Sequence, residues 1–337
     1  MPTGWFKKGW FRILFFNLVS RNLLFPYLRG ADLDQLLRVD ELEEKPEELS
    51  VITYEWPIEL ALRYHFQEVS QLKMSKTYRV RSNIDNVLFD HVKEIWAPES
   101  RFIKADGRLN EMGQSRFYAS NNPLTAILEA RPKPNTLITL TRFGFRNSSY
   151  ATNKTAFIAG MNRYRSTAVD PELDDIEQFY ERMETIVHDY ERFIMVDNRI
   201  ADLMTRIVKS ENYWEYYPTI AFANMVLKNL GMYNSKMQIG PRADALLYPS
   251  VMGDFASMNI CMEPTTAKKT YAPDLIWTFK YLGCGRLDSN TNIKLRAIKQ
   301  SAHIRGNGSI EWGEVDTNEL KLFFENALTG NDCVEFA

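Results

Sequence analysis

The sequence predicts an α+β protein, and three segments carry that prediction. Residues 136–145 alternate β-branched and aromatic residues as a strand does, and residues 171–210 place apolar residues at helical spacing. Residues 243–251 form an apolar run typical of a buried strand. No Gly-x-Gly-x-x-Gly follows a strand and no Gly-x4-Gly-Lys-Ser/Thr is present. The sequence therefore supports neither a doubly wound dinucleotide fold nor a phosphate loop.

Length and composition indicate a folded protein with no global preference for nucleic acid. The 337 residues are 45% hydrophobic and 13% aromatic, which is enough to fill a sizeable core. Forty-one basic against 43 acidic side chains leave a formal net charge of -2, so we expect no direct nucleic-acid binding. Three scattered cysteines and four histidines without a ligand pair indicate a reducing, cytoplasmic compartment and no bound metal.

Residues 1–72 are interpreted as an N-terminal helical extension. Within it, residues 5–28 are basic and aromatic, but Arg12 and Asn17 interrupt the apolar run, which is shorter than the roughly 18 to 20 residues of a membrane span. We interpret this stretch as an apolar helix packed on the domain or on a second subunit, which would give a homodimer. Contact with a membrane surface is the alternative interpretation.

A core domain is predicted over residues 73–265. It opens with a strand at residues 76–81, continues through helical or irregular chain at 84–96, and has a second short strand at 116–119. Ser120 or Asn121 is predicted to cap a helix that has Pro123 in its first turn and Glu129 near its end. Residues 146–170 are polar and Asn-rich, and this predicts a long loop.

The second half of the chain adds helices and a hairpin. A helical insertion is predicted over residues 171–210, a further helix follows Pro218, and a strand is expected at 259–262. Residues 266–337 are interpreted as a C-terminal α+β extension with a hairpin, 292–302 against 309–312, and a helix that starts in a capping box of Asp316 and Glu319.

Five residues have side chains that suit one reaction. Two arginines, Arg79 and Arg108, offer bidentate forks for a pyrophosphate, and Tyr118 offers a flat face for a ring. Ser250 can position a polar group, and Glu129 is left for a reacting centre that develops positive charge, as in cleavage of an N-glycosidic bond. Residue types alone are weak evidence, and on spacing alone the alternative that each is an ordinary structural residue is favoured.

The order of these residues resembles the RES domain family. The matching segments are Tyr-Arg-Val at 78–80, Gly-Arg-Leu-Asn-Glu-Met-Gly at 107–113, Tyr-Ala-Ser at 118–120, Thr-Ala-Ile-Leu-Glu at 125–129, Tyr-Pro-Ser at 248–250, and Asn259. The family usually has an aromatic residue where this chain has Leu109. The resemblance covers about residues 76 to 262.

That resemblance implies an ADP-ribosyltransferase-like core of two small sheets around an NAD cleft. Such proteins are typically toxins of bacterial toxin–antitoxin pairs that consume NAD, so the resemblance implies NAD as substrate and a cognate antitoxin as partner. It implies a catalytic set of Glu129, Arg79 and Ser250. It implies NAD contacts from Arg108, Tyr118 and Asn110, together with Arg79 and Ser250, and Arg81 is a weaker substitute for Arg79.

Three functions stay open on the sequence. The first is an enzyme that cleaves the nicotinamide glycosidic bond by hydrolysis or phosphorolysis, as a toxin-type growth inhibitor. The second transfers ADP-ribose to a protein, and the third is a non-catalytic module that senses a nucleotide and recruits a partner through its added helices. Water, phosphate and a protein side chain all approach the same carbon, so residue types do not choose between them.

Overall fold

A computed structural model describes residues 70–72, 74–146, 154–162, 171–186, 190–208, 212–229, 243–250, 252, 257–287, 290–326 and 333–336. The predictions made for residues 1–69, including the stretch 5–28, lie outside these residues, as does most of the predicted loop 146–170. In the part of the chain that is described, strands and helices are both abundant, and the α+β class is confirmed.

The described strands belong to one mixed sheet. In chain order they are β1 (Ser70–Gln71), β2 (Lys76–Ser82), β3 (Phe117–Ser120), β4 (Thr136–Phe145), β5 (Thr155–Ile158), β6 (Ala245–Pro249), β7 (Met258–Met262), β8 (Tyr271–Leu287), β9 (Asn290–Ile304), β10 (Ile310–Gly313) and β11 (Cys333–Phe336). The spatial order is β1-β5-β6-β7-β3-β2-β4-β8-β9-β10, and β11 also pairs with β9. Most neighbours are antiparallel, with β5–β6 and β9–β11 parallel.

The sheet has two halves that are joined at one point. β2 and β3 are paired in register only at Tyr78 and Ser120, whereas β2 pairs with β4 over seven residues. The prediction of two small sheets is therefore corrected in one respect, because the halves are hydrogen-bonded into one sheet. A junction this narrow lets the two halves diverge, and a cleft can open where they meet.

Six α-helices are described. They are α1 (Pro123–Glu129), α2 (Pro171–Ile186), α3 (Tyr190–Thr205), α4 (Tyr217–Asn224), α5 (Pro264–Thr270) and α6 (Thr317–Glu325). A π-helical turn, Met225–Asn229, continues α4, and a 3-10 turn, Tyr213–Tyr216, precedes it. The segment 84–96, predicted as helical or irregular, contains only short 3-10 turns.

Helix α1 begins one residue later than predicted. Its cap is Asn122, whose side chain accepts from the backbone N–H groups of Leu124 at 2.8 Å and Thr125 at 3.2 Å. Pro123 occupies the first turn, where its missing N–H costs nothing. Ser120 serves another purpose, because its hydroxyl donates to the carbonyl of Met258 on β7.

The helices predicted over residues 171–210 are present as α2 and α3. Phe179, Tyr180, Met183 and Phe193 are buried, as their helical spacing predicts. Asp197 on α3 anchors the insertion to the chain after β5, because its carboxylate accepts from the N–H of Gly160 at 2.7 Å and from the Tyr180 hydroxyl at 2.7 Å. The insertion is therefore fixed to the sheet through buried polar bonds as well as apolar contact.

The C-terminal extension continues the sheet instead of forming a separate one. β8 pairs with β4 and β9 pairs with β8, and the predicted hairpin is present as β9 and β10. Asp316 caps α6 as predicted, but the capping box is incomplete. The Asp316 N–H donates to Gln300 at 3.2 Å, and the Glu319 carboxylate accepts from the same Gln300 side chain.

Four of the described strands were not predicted: β1, β5, β8 and β11. β1 lies at the end of segment 1–72, so the prediction of a helical extension is wrong for residues 70–71. β5 has only four residues and lies in the predicted loop 146–170; three of them are buried, so the strand lacks the alternation that reveals a half-exposed strand. β8 has 17 residues, but Pro273 and two glycines interrupt its pattern. Pro273 sits beside a register shift in the β4–β8 ladder, which is where a sheet tolerates proline.

Apolar side chains cover both halves of the sheet. Helices α3 and α4 pack on β6 and β7 through residues such as Val196, Ile220 and Leu246. Helices α1 and α6 pack on the other half around Trp277 and Phe324. Each such large side chain, fully buried, stabilises the fold by about 1.5–3 kcal/mol.

Candidate active site

A cavity of about 390 Å³ lies where the two halves of the sheet meet. Tyr78 and Ser120, the pair that joins the halves, are both in its wall. The wall also contains Arg79, Arg108, Asn110, Tyr118 and Glu129, all of which are sequence-predicted site residues. The volume is within the range of small-molecule sites, which bury a drug-sized ligand in roughly 300–1,000 Å³.

Two glycines shape the loop that carries Arg108 and Asn110. Gly107 and Asn110 pair through their backbones, and a Cβ on Gly107 would lie 2.6 Å from the Asn110 side-chain oxygen. Gly113 has φ of 77°, a left-handed conformation that glycine adopts without strain. The spacing of glycines at 107 and 113 therefore has a steric cause, because it closes a tight loop against the cavity.

The hydroxyl of Tyr118 ties this loop to strand β3. It donates to Asn110 Oδ1 at 2.8 Å and accepts from the N–H of Leu109 at 3.1 Å. Burial raises the pKa of Tyr118 well above its usual value, so the hydroxyl keeps its proton at neutral pH. Tyr118 thus presents its ring to the cavity, while its polar end and Asn110 hold the loop.

Arg79 is a buried cation that makes no salt bridge with any described residue. Its Nη1 donates to the carbonyl of Tyr118 at 2.6 Å, but its Nε is buried without a hydrogen-bond partner. Burial, and then repulsion from Arg81, lower the pKa of Arg79 to about 9. A guanidinium still holds its proton at neutral pH, so a buried positive charge without a described carboxylate partner favours an anion in the cavity.

Arg81 is not part of the cavity wall. Its Nη1 donates to the carbonyl of Trp96 at 2.7 Å, and burial lowers its pKa. Arg79, and not Arg81, is therefore the arginine of β2 that a ligand would meet.

Arg108 is held by the helical insertion. Its Nη1 donates to the carbonyls of Met204 and Arg206, the latter at 3.0 Å, at the C-terminal end of α3. Its guanidinium carbon lies 5.7 Å from the ring centroid of Tyr216. A cation at the negative end of a helix is a favourable arrangement, and it leaves the other donors of the guanidinium for the cavity.

Of the two carboxylate oxygens of Glu129, only one forms hydrogen bonds with described residues. Its Oε1 accepts from the Ser250 hydroxyl at 2.6 Å and from Asn259 Nδ2 at 2.8 Å. No described residue forms a hydrogen bond to Oε2, and no described cation lies within salt-bridge distance of the carboxylate. Glu129 therefore has one oxygen fixed by two hydrogen bonds, in a cavity whose wall also contains Arg79, Arg108 and Arg131.

Ser250 lies behind Glu129. It is fully buried and does not line the cavity, and its hydroxyl is directed at Glu129. The same hydroxyl accepts from the N–H of Met252 at 3.2 Å, which orients its proton towards the carboxylate. The geometry supports a positioning role for Ser250, and the direct substrate contact that the resemblance implies stays a prediction.

Sequence reasoning missed further residues of the wall, among them Arg131, Tyr216, Tyr248 and, as a member of the site, Asn259. Arg131 follows the helix of Glu129 with φ of 45°, which is a strained value for a side chain of this size. Asn259 was noticed only as part of a motif. Tyr216 belongs to the aromatic run 213–217, which was the available signal for it.

A buried network supports the loop from behind. Arg116 is buried and pairs with Glu263 after β7, and its Nη2 donates to Asn224 Oδ1 at 2.8 Å. Asn224, at the end of α4, donates in turn to Glu111 at 2.9 Å. The loop, the insertion side and β7 are thus joined through one cation, and loss of either partner would leave buried polar groups unsatisfied.

Among the described residues, no group of three or more His, Cys, Asp or Glu side chains is placed to hold a metal ion. No helix in the same part of the chain is long and apolar enough to cross a membrane.

No protein-family model matches the sequence, and none of the curated proteins is significantly similar to it. The motif residues and the geometry of the cavity are therefore the observations that bear on function.

Proposed function

We propose that the chain is an NAD-consuming enzyme that cleaves the bond between nicotinamide and ribose, with an ADP-ribosyltransferase-like core of the RES type. One observation carries the proposal. A single cavity contains Arg79 and Arg108, which make no salt bridges with described residues. It also contains the carboxylate of Glu129, whose Oε1 is fixed by hydrogen bonds from Ser250 and Asn259. Two cations suit a pyrophosphate, and one carboxylate suits a cationic transition state.

The arrangement supports a dissociative reaction. The C–N bond breaks, and its electron pair moves to the pyridinium nitrogen, which leaves as neutral nicotinamide. The ribose carbon becomes an oxocarbenium ion, and the carboxylate of Glu129 stabilises that charge. Water or phosphate then forms the new C–O bond, and the attacking water loses its proton to Glu129 or to solvent.

The residues around Glu129 make this electrostatic role effective. Ser250 and Asn259 fix the carboxylate before the substrate arrives, so little reorganisation is needed as charge develops. In this proposal Arg79 and Arg108 hold the pyrophosphate, and the ring of Tyr118 lies against the nicotinamide side. Growth inhibition by NAD depletion, and control by an antitoxin protein, belong to the same proposal.

The test is product analysis by mass spectrometry after purified protein is incubated with NAD, with and without phosphate. We expect nicotinamide with ADP-ribose, or with ADP-ribose 1″-phosphate when phosphate is present. Arg79→Met should abolish turnover, whereas Arg101→Met, an exposed arginine outside the cavity, should leave it unchanged. Intact NAD under both conditions contradicts the proposal, and an intact-mass gain on an added protein identifies protein ADP-ribosylation instead.

A further inference from the structure

Tyr216 places an aromatic ring in the cavity wall, on the side where α3 and α4 lie. It is the last residue of the turn Tyr213–Tyr216, directly before α4, and it lies outside all the motif segments. Its ring is partly buried and packs against the apolar cluster under α3 and α4. No described residue forms a hydrogen bond to its hydroxyl, so its position depends on the ring and on the backbone.

Thr219 holds Tyr216 and Arg108 together. Its buried hydroxyl lies within hydrogen-bonding distance of the carbonyls of both residues, 2.9 Å for that of Tyr216. The guanidinium of Arg108 is meanwhile fixed by the end of α3 and lies beside the Tyr216 ring. The two side chains are therefore placed as a unit, although they are distant in sequence.

From this placement we propose that Tyr216 and Arg108 form the site for the adenine ring of the substrate and its adjacent phosphate. The proposal rests on the proposed function, in which the cavity binds NAD. An aromatic ring next to a guanidinium suits a heterocycle that is attached to a phosphate, because the ring stacks while the cation pairs with the anion.

Electrostatics decides which heterocycle of NAD lies there. The nicotinamide ring is a cation before cleavage, so it is repelled by Arg108 and attracted to the carboxylate of Glu129. Adenine is neutral and accepts a position beside a guanidinium. The loop of Arg108 and the turn before α4 thus supply the adenylate subsite, and the Glu129 side of the cavity supplies the reacting subsite.

The test is calorimetry in the Glu129→Gln background, so that no ligand is consumed. AMP and ADP-ribose report on the proposed subsite, and nicotinamide mononucleotide reports on the rest of the cavity. We expect Tyr216→Leu to weaken AMP and ADP-ribose about tenfold or more, as loss of base stacking does. Nicotinamide mononucleotide should change less than twofold, and Tyr216→Phe, which keeps the ring, should bind AMP as the parent does.

Tyr213→Leu is the matched control, because Tyr213 is in the same turn, is 50% exposed and does not line the cavity. Tyr216→Gln gives a second variant without the ring in case Tyr216→Leu does not fold. Unchanged AMP affinity in a folded variant without the ring, or an equal loss for nicotinamide mononucleotide, overturns the subsite. If the wild type does not consume NAD but ring removal still abolishes AMP binding, the proposed function fails and the subsite stands.

Discussion

Two sides of the cavity are built in different ways: the Glu129 wall, with Ser250 and Asn259, and the Arg108 wall, with Thr219 and Tyr216. Around Glu129, the described hydrogen bonds join side chains. Ser250 directly follows β6, and Asn259 lies within β7. Around Arg108, the contacts are with backbone carbonyls at the end of α3, with Thr219 and with the ring of Tyr216. The first wall belongs to the sheet, and the second belongs to a loop and the helical insertion.

Under the proposed function, this difference predicts separate roles for the two walls. Short bonds from a sheet hold a carboxylate rigidly, as a reacting centre requires. The guanidinium of Arg108, held by backbone carbonyls at the end of α3, is placed for ligand binding. Its position depends on α3, so a different insertion would change it. Changes at the Glu129 wall should therefore act on kcat, and changes at the Arg108 wall should act on affinity.

Of the variants that separate the roles of the two walls, Glu129→Asp should have the largest effect. The charge remains, but the shorter side chain draws the carboxylate back by about one methylene and away from Ser250 or the substrate. Misplacement of a reacting group by about 1 Å costs about 100-fold in rate, so kcat should fall by that factor with little change in affinity. Steady-state kinetics measures both, with the exposed Glu99→Asp as control. A normal kcat would show that the carboxylate does not act at the reacting carbon.

Arg108→Met should chiefly weaken binding. Loss of a charge-assisted contact with phosphate costs about 1.5–3 kcal/mol, which is about 10- to 100-fold in Kd for ADP-ribose. Calorimetry measures it, and Arg101→Met controls for the loss of a positive charge. An effect on kcat alone, with unchanged Kd, would contradict the binding role of this wall.

Ser250→Ala should give a smaller loss at the first wall. One of the two donors to Oε1 disappears, whereas Asn259 remains, so we expect kcat to fall about tenfold. The affinity for ADP-ribose should stay within twofold, since Ser250 is buried behind Glu129. A large loss of affinity without loss of kcat would restore the direct substrate contact that the family resemblance implies.

Thr219→Val should have the smallest effect. Valine has nearly the shape of threonine but does not donate to the carbonyls of Arg108 and Tyr216, and one such bond contributes about 1 kcal/mol. We expect KM for NAD to rise about fivefold with kcat unchanged. A fall in kcat with constant KM would mean that the Thr219 hydroxyl supports the Glu129 wall instead.

The sequence predicted the Glu129 wall better than the Arg108 wall. Strands β2, β6 and β7 and helix α1 have clear patterns, so Arg79, Glu129 and Asn259 could be placed on elements before their contacts were known. The hydrogen bonds of Glu129 join residues more than 120 positions apart, and no local pattern encodes such a distance.

Tyr216 shows why the second wall escaped sequence reasoning. It lies 108 positions from Arg108, and it enters the cavity only because α3 and α4 pack on β6 and β7. Its aromatic run suggests a packed turn and carries no signature of a binding site. Similarly, β5 and β8 were missed because burial and proline hide their periodicity, so the extent of the sheet could not be predicted.

The central claim is that NAD is bound and cleaved in this cavity, and one measurement on two proteins tests it most directly. Wild type and Glu129→Gln are each incubated with NAD, and bound NAD and released nicotinamide are quantified in the same sample. We predict that both bind NAD with similar affinity, and that nicotinamide is released by the wild type alone. Equal release by both proteins, or binding without release by the wild type, would contradict the claim.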